Sequence, residues 1–402
     1  MTLDYDVVIV GGGMVGATLA IALAEQPDLN IAVIEEYPIA KLEQSDPPDL
    51  RVSALTCASE NLLKNLNIWP HFMPSRISPF TDMKVWETPS SSLHFDSADI
   101  GEPILGHIVE NRHLQQACLT QFKQLSNIDF LCPAKPVSLI DNIITLADGR
   151  TLSAKLVVGA DGAQSALRSW AGIETKGWDY QQMAVVCTVT TEKPHHQTAR
   201  QRFLPEGPLA FLPLSDPYQC SIVWSNSNDE AELLCQLNDE QFKHILANAI
   251  DNTLGNILTV SKRASFPLKL RHADHYVELG FALVGDAAHT IHPLAGQGVN
   301  IGLLDAATLA EVVLEAFEKD RQIGSLHTLN KYQRRRKGDN IAMQLFMDSF
   351  KRVFGSELTP VRWLRQFGLK SVNQSSLMKN FFTHQALGHR FANPKLSKTL
   401  NK

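Results

Sequence analysis

Four short, mostly apolar runs stand out along the chain: 5–10 (YDVVIV), 31–35 (IAVIE), 155–160 (KLVVGA) and 281–285 (FALVG). Each is followed by glycine or an acidic residue, and none alternates polar with apolar positions. That is the pattern of parallel strands covered on both faces. Residues 14–25 lie between the first two runs and read as a helix, which makes the segment a βαβ unit. Helical periodicity predicts further helices near 57–67, 111–125, 239–250, 298–318, 326–352 and 359–370. Residues 38–50 are a Pro- and Asp-rich loop, and 137–146 alternate as a hairpin that the Asp148-Gly149 turn is expected to close.

The middle of the chain has a different rhythm. MAVVCTVTT, ARQRFL, LAFLPL and CSIVWS follow one another within residues 181–225, separated by Pro, Gly, Asp and Ser turns, and more strands are expected near 257–270. The pattern predicts an α/β chain: a Rossmann-like dinucleotide-binding domain with an inserted, mostly antiparallel β-sheet domain and a helical C-terminal segment. The first domain is expected to be discontinuous, over 1–75, 101–177 and 276–345. The inserted domain then takes 76–100 and 178–275, and 346–402 forms the basic tail.

Composition adds limits. At 402 residues, 44% apolar and 20% charged, the chain is neither disordered, collagenous, a coiled coil nor a disulfide-stapled module. The net charge of −5 hides an asymmetry: residues 321–402 hold 16 Lys and Arg against three Asp and Glu, a net +13, so the rest carries −18. Such a segment can face an anionic lipid surface, nucleic acid or an acidic partner, with Arg334, Arg335 and Arg336 as its densest point, although a solvated helical face is the commoner reason for a charge run. Six cysteines (57, 118, 132, 187, 220 and 235) show no C-x-x-C spacing and no zinc-like cluster, so they read as reduced, buried thiols of a cytosolic protein without a metal. Residues 7–24 carry no charge. Three consecutive glycines and the preceding Asp4 and Asp6 argue against a signal peptide or a membrane span there.

Three motifs carry chemistry. Gly11-x-Gly13-x-x-Gly16 sits between a strand and a helix, with Glu35 ending the next strand. The glycines allow a tight turn, close approach of a pyrophosphate and close helix–strand packing, while the acid can accept ribose hydroxyls. The pattern leaves NAD and FAD equally open. Gly285-Asp286 ends the last buried strand and leads through His289, His292, Pro293, Gly296, Gln297 and Gly298 to Asn300. The carboxylate suits a polyol hydroxyl, and the free N–H groups of the following helix can face the edge of a flavin that becomes anionic on reduction. The two histidines read as residues that hold the loop. The third motif is Asp161-Gly162, with Arg168 after it, which alone would be only a turn.

Taken together and in this order, the three motifs resemble those of the single-component flavoprotein aromatic hydroxylases, the class with a p-hydroxybenzoate-hydroxylase-like fold, over residues 5–345. The phrases RVSAL (51–55), LGHIVEN (105–111), WDYQ (178–181), AFLPLSDP (210–217), SIVWS (221–225) and LVGDAAHTIHPLAGQGVN (283–300) are similar to the ubiquinone-biosynthesis hydroxylases, in particular the bacterial 2-octaprenylphenol hydroxylase branch. The resemblance implies bound FAD, transient NADH or NADPH, and O2 as co-substrate. Ring hydroxylation would proceed through a C4a-hydroperoxyflavin, with C5 of a 2-polyprenylphenol as the expected position.

It also implies roles. Gly11, Gly13, Gly16 and Glu35 would hold the adenosine diphosphate, and Arg51, Ser53 and Arg112 would lie along the FAD. Asp161 would serve FAD and NAD(P)H, and Asp286 the ribityl chain. Gly296, Gln297, Gly298, Val299 and Asn300 would cradle the isoalloxazine, with Pro293 beside the reacting edge. Phe211, Leu212 and Trp224 are candidate walls of the substrate pocket, though each also suits the core. Partners implied are a polyprenylated phenol, a ubiquinone-biosynthesis assembly, the surface of the inner membrane and a second copy of the chain, with no nucleic acid. Competing readings are hydroxylation at another ring position or of a small soluble phenol, and a non-catalytic scaffold. Halogenation is disfavoured because no W-x-W-x-I-P is present.

Overall fold

The computed structural model describes residues 4–88, 91–290, 298–355 and 393–399, with 344–355 described by backbone alone. Two large sheets organise it. The first has eight strands with a parallel centre, in which Tyr5–Val10 (β1) lies between Thr151–Gly159 and Ile31–Ile34 (β2). Phe281–Leu283 extends this centre on one side and Ile128–Leu131 on the other. Val7 to Ile9 are fully buried, as a strand between two layers requires. The helix Met14–Leu23 (α1) is buried on all sides from Gly16 to Leu23, lodged against the helices Asn111–Phe122 and Gly298–Glu318. This all-round burial explains the uncharged stretch at 7–24. Among the described residues, no helix is long and apolar enough to cross a membrane.

The second sheet has nine strands, built round the long strand Thr175–Thr191, and is antiparallel except where Thr198–Phe203 runs parallel to Asp82–Thr88. Its strands alternate. Val185, Cys187, Leu209, Phe211, Ile222 and Trp224 point to a core closed by the helices Asn228–Gln236 and Asp239–Ala249. Ala199, Ala210, Leu212 and Val223 point the other way, onto Val52, Ala54, Phe80 and Ile108 of a small three-stranded sheet.

Two local expectations need correction. Residues 136–146 do form a hairpin, but the Asp141-Asn142 turn closes it, both residues having positive φ. Asp148-Gly149 closes the next hairpin, onto Thr151–Gly159. Either Asx pair can turn the chain, and only the pairing distinguishes them. All six cysteines are free, but Cys57, Cys132 and Cys235 are partly exposed rather than buried. The expected helix at 359–370 lies outside the described residues.

Candidate active site: two glycine turns on one cleft

The glycine fingerprint is shaped by contacts rather than by flexibility alone. Gly11 has φ +109°, and a Cβ there would overlap the Ala160 carbonyl of the Asp161-Gly162 motif. A Cβ on Gly16 would overlap Gly11's own carbonyl. Gly13 differs: a Cβ there would meet no heavy atom within 4 Å, so its backbone faces open space. It caps α1 without a side-chain hydrogen bond, and no acidic residue follows in the first turn. The amides of a ten-residue helix therefore face a cleft with their partial positive charge uncompensated.

The second glycine turn closes on the first. Val15, inside the fingerprint, packs against both Gly285 and Gly302, and a Cβ on Gly302 would press into Val15. Helix Gly298–Glu318 thus begins beside α1, nearly three hundred residues later. Asn300, 3% exposed, spends its whole side chain as a clip: Nδ2 donates to Ala54 O at 2.8 Å, and Oδ1 accepts from Thr56 N at 3.0 Å. Only its backbone remains to face a cofactor. Ser53 is similarly committed, donating to Asn111 Oδ1 at 2.6 Å.

A cleft of about 430 Å³ collects Gly13, Glu35, Arg51, Arg112 and Gln115 beneath the loop at 37–40. Glu35 Oε2 accepts from Gly12 N at 2.8 Å, which fixes the carboxylate at the rim. Gln115 reaches the other side of the same turn, donating to Gly12 O at 3.1 Å. Arg112 lies 4.0 Å from Asp46, and its Nε is buried without a partner. Arg51 is exposed, stands 5.7 Å from the Phe266 ring of the second sheet, and its charge reaches Asp286. Asp286 is open to solvent, yet protein crowds its carboxyl and raises its pKa against the pull of His289 and Arg51. Asp161 accepts from Leu167 N through one oxygen, and its other oxygen is buried and unpartnered. Arg168 ties the two later motifs together, donating to Ala287 O at 2.8 Å and Ala163 O at 3.2 Å.

Behind this surface is a polar network that the sequence did not flag. Asp305, fully buried, accepts from His289 at 2.5 Å, Arg336 at 2.7 Å and Gly285 N at 3.3 Å. His289 therefore holds the turn, and Arg336, 1% exposed, belongs to the core and not to a lipid-facing run. Arg335 pairs with Glu311, leaving Arg334 as the exposed member of the three.

The set fits a dinucleotide that enters the cleft at Glu35 and runs on past the second glycine turn to Asp286, with open glycine and helix amides between the two acids and arginines alongside. The donors and acceptors suit ribose, phosphate and polyol in that order. Residues 143–347, about half the chain, match the family model described as an FAD binding domain. The chain is 38% identical to the 3-demethoxyubiquinol 3-hydroxylase of Escherichia coli, over 95% of this chain and 98% of that one. It belongs to the FAD-dependent hydroxylases of ubiquinone biosynthesis. Another relative in that family is the human mitochondrial ubiquinone biosynthesis monooxygenase COQ6, 35% identical over 93% of this chain and 91% of that one. The p-nitrophenol 4-monooxygenase of Pseudomonas putida shares the fold, with a TM-score of 0.77 at 17% identity over 96% and 99% of the two chains. The chain is accordingly an FAD-dependent aromatic-ring monooxygenase, a class that uses NAD(P)H and O2.

Not every expected residue joins the cleft. Pro293, Gly296 and Gln297 lie outside the described residues. Gly298 starts its helix with open space at its Cα, and Val299 packs on the core beside it. Phe211 and Trp224 point into the helix-covered core, away from the cofactor side, and Leu212 alone of the three faces it. Strand alternation decides this, since neighbours on a strand take opposite faces. Gln115 and the Asp305 network were missed because no motif marks them.

Proposed function

We propose that this hydroxylase acts on the ring of a polyprenylated quinol intermediate, at the carbon for which its E. coli relative is named. The expectation of C5 on a 2-polyprenylphenol rested on WDYQ and AFLPLSDP, whereas the E. coli relative, matched over 98% of its length, is named for a different ring position. The observation that supports the oxygenase reading is the seating of Val15 on Gly285 and Gly302, which brings the two glycine turns side by side.

FAD, when bound, supplies the redox and oxygen chemistry. Glu35 holds the adenosine ribose, while the α1 amides and Arg112 hold the pyrophosphate. Asp286 and Arg51 hold the ribityl chain, and the backbone from Gly298 to Asn300 meets the ring. Leu212 packs directly on Val52 and Ala54, and this closed apolar layer would keep water from the second-sheet side of the cofactor. The discontinuous domains expected from the sequence give this division: 1–75, 101–177 and 276–345 for the cofactor, 76–100 and 178–275 for the substrate. A prenylated substrate and a basic C-terminal segment support a position against the inner membrane.

The test is product analysis. Purified holoenzyme supplied with NADH or NADPH and a short-chain prenylated demethoxyquinol is expected to yield the singly hydroxylated ring with little H2O2. A deletion strain is expected to accumulate the demethoxyquinol. Accumulation of the prenylphenol would restore the C5 assignment, and H2O2 without product from either substrate would defeat both.

A further inference from the structure

Arg76 ends the turn Pro74–Arg76 and immediately precedes the strand Ile77–Phe80, outside every motif described above. Its side chain is 6% exposed, and all five of its N–H groups are engaged. Nε and Nη2 take both oxygens of Glu110, at 2.9 and 2.8 Å. Nη1 donates to Asp46 O at 2.8 Å and Glu43 O at 3.2 Å, with Gln44 O at 3.4 Å. Nη2 also reaches Pro47 O at 3.2 Å. Glu110 in turn accepts from Asp49 N at 2.7 Å. One buried ion pair therefore gathers five backbone groups of residues 43–49.

That stretch has no helix or strand to hold it. Both ends of the loop enter the cleft wall, through residues 37–40 on one side and Asp49 and Arg51 on the other. Inside it, Asp46 faces Arg112 across 4.0 Å. A buried ion pair contributes little net stability, because desolvation offsets its attraction. A planar fork that satisfies four carbonyls and a carboxylate does fix one loop geometry.

We propose that Arg76 is a positioning residue for cofactor capture: it holds residues 43–49 so that the loop wall and Arg112 meet FAD already in place. The proposal rests on the reading that the adenosine half of FAD enters this cleft. Loss of the fork frees the loop, and the cofactor leaves faster while the chemistry of the loaded enzyme is unchanged.

The experiment uses the full-length holoenzyme and three variants: Arg76→Lys, Gly13→Val and Arg202→Lys. Arg202 also donates to backbone carbonyls and pairs with Asp251, at 2.7 Å, but behind the second sheet. It reports general destabilisation. FAD release is followed by recovery of flavin fluorescence, and amide hydrogen exchange is read over 41–50. Arg76→Lys is expected to speed release about tenfold, the scale of one lost charge-assisted hydrogen bond, and to raise exchange in the loop. Excess FAD is expected to restore turnover, and Arg202→Lys to leave release unchanged. If Arg76→Lys releases FAD no faster than Arg202→Lys, the positioning role is wrong. If Gly13→Val also keeps its FAD, the cleft assignment falls with it.

Discussion

Asp305 shows how one side chain can determine a site it never touches. It is fully buried with His289 and Arg336, and burial alone would raise its pKa. The charge and hydrogen bonds of its partners His289 and Arg336 outweigh burial and hold the carboxyl at about 2. Because that lies below the value of about 4 in an unfolded chain, ionised Asp305 adds stability above pH 4 and loses it as the pH falls toward 2. The contribution is on the order of 2 kcal/mol. Asp305→Asn should remove this part of the acid sensitivity, visible as a flatter urea midpoint between pH 4 and pH 2. At neutral pH the same variant leaves Arg336 without its main counter-charge. A loss of about 3 kcal/mol is expected by urea unfolding.

At the scale of elements, the two glycines of one turn serve different ends. Gly11 sits at φ +109° against the Ala160 carbonyl, so Gly11→Ala is both strained and crowded. It should cost the apoprotein about 2 kcal/mol or more. Gly13 has ordinary dihedrals at the helix cap and nothing beside it. Gly13→Val should change apoprotein stability by about 1 kcal/mol or less while abolishing flavin retention. Urea unfolding of the two apoproteins, set beside the absorbance of bound flavin after gel filtration, separates the roles. A similar contrast applies to Asn300. Asn300→Ala leaves Thr56 N buried without its acceptor, removes the donor to Ala54 O and should loosen the join between helix Gly298–Glu318 and the Val52–Leu55 strand. The expected result is a lowered Tm together with weaker FAD binding.

For the whole molecule, the basic C-terminal charge is less available than the sequence suggests. Arg336 is core and Arg335 is paired, and the described end of the chain is docked, with Asn65 donating to Leu396 O at 2.7 Å. Arg334→Gln should weaken binding to anionic vesicles about fivefold, the ~1 kcal/mol of one basic residue near a charged surface. Arg336→Gln should instead unfold the protein at lower urea. Sedimentation with vesicles at two salt concentrations distinguishes a surface charge from a structural one, since only the former is screened.

The buried parallel strands, the glycine fingerprint and the acid after β2 were legible in the chain because each is a local matter: burial on two faces, a turn that needs no Cβ, a carboxylate at a strand end. The resemblance extended this to a flavin hydroxylase. Three things were decided only in three dimensions. Strand alternation put Phe211 and Trp224 on the helix-covered face of the second sheet and Leu212 on the other, which four or five letters cannot reveal when both faces of the sheet are buried. Pairing chose between two Asx turns, Asp141-Asn142 and Asp148-Gly149, that look equally able to close a hairpin. Contacts across tens to hundreds of residues made Arg336 a core residue, Asn300 a clip and Arg76 the anchor of a cofactor loop. A charged side chain spells the same whether it meets water or a buried partner, and only the packing around it determines which.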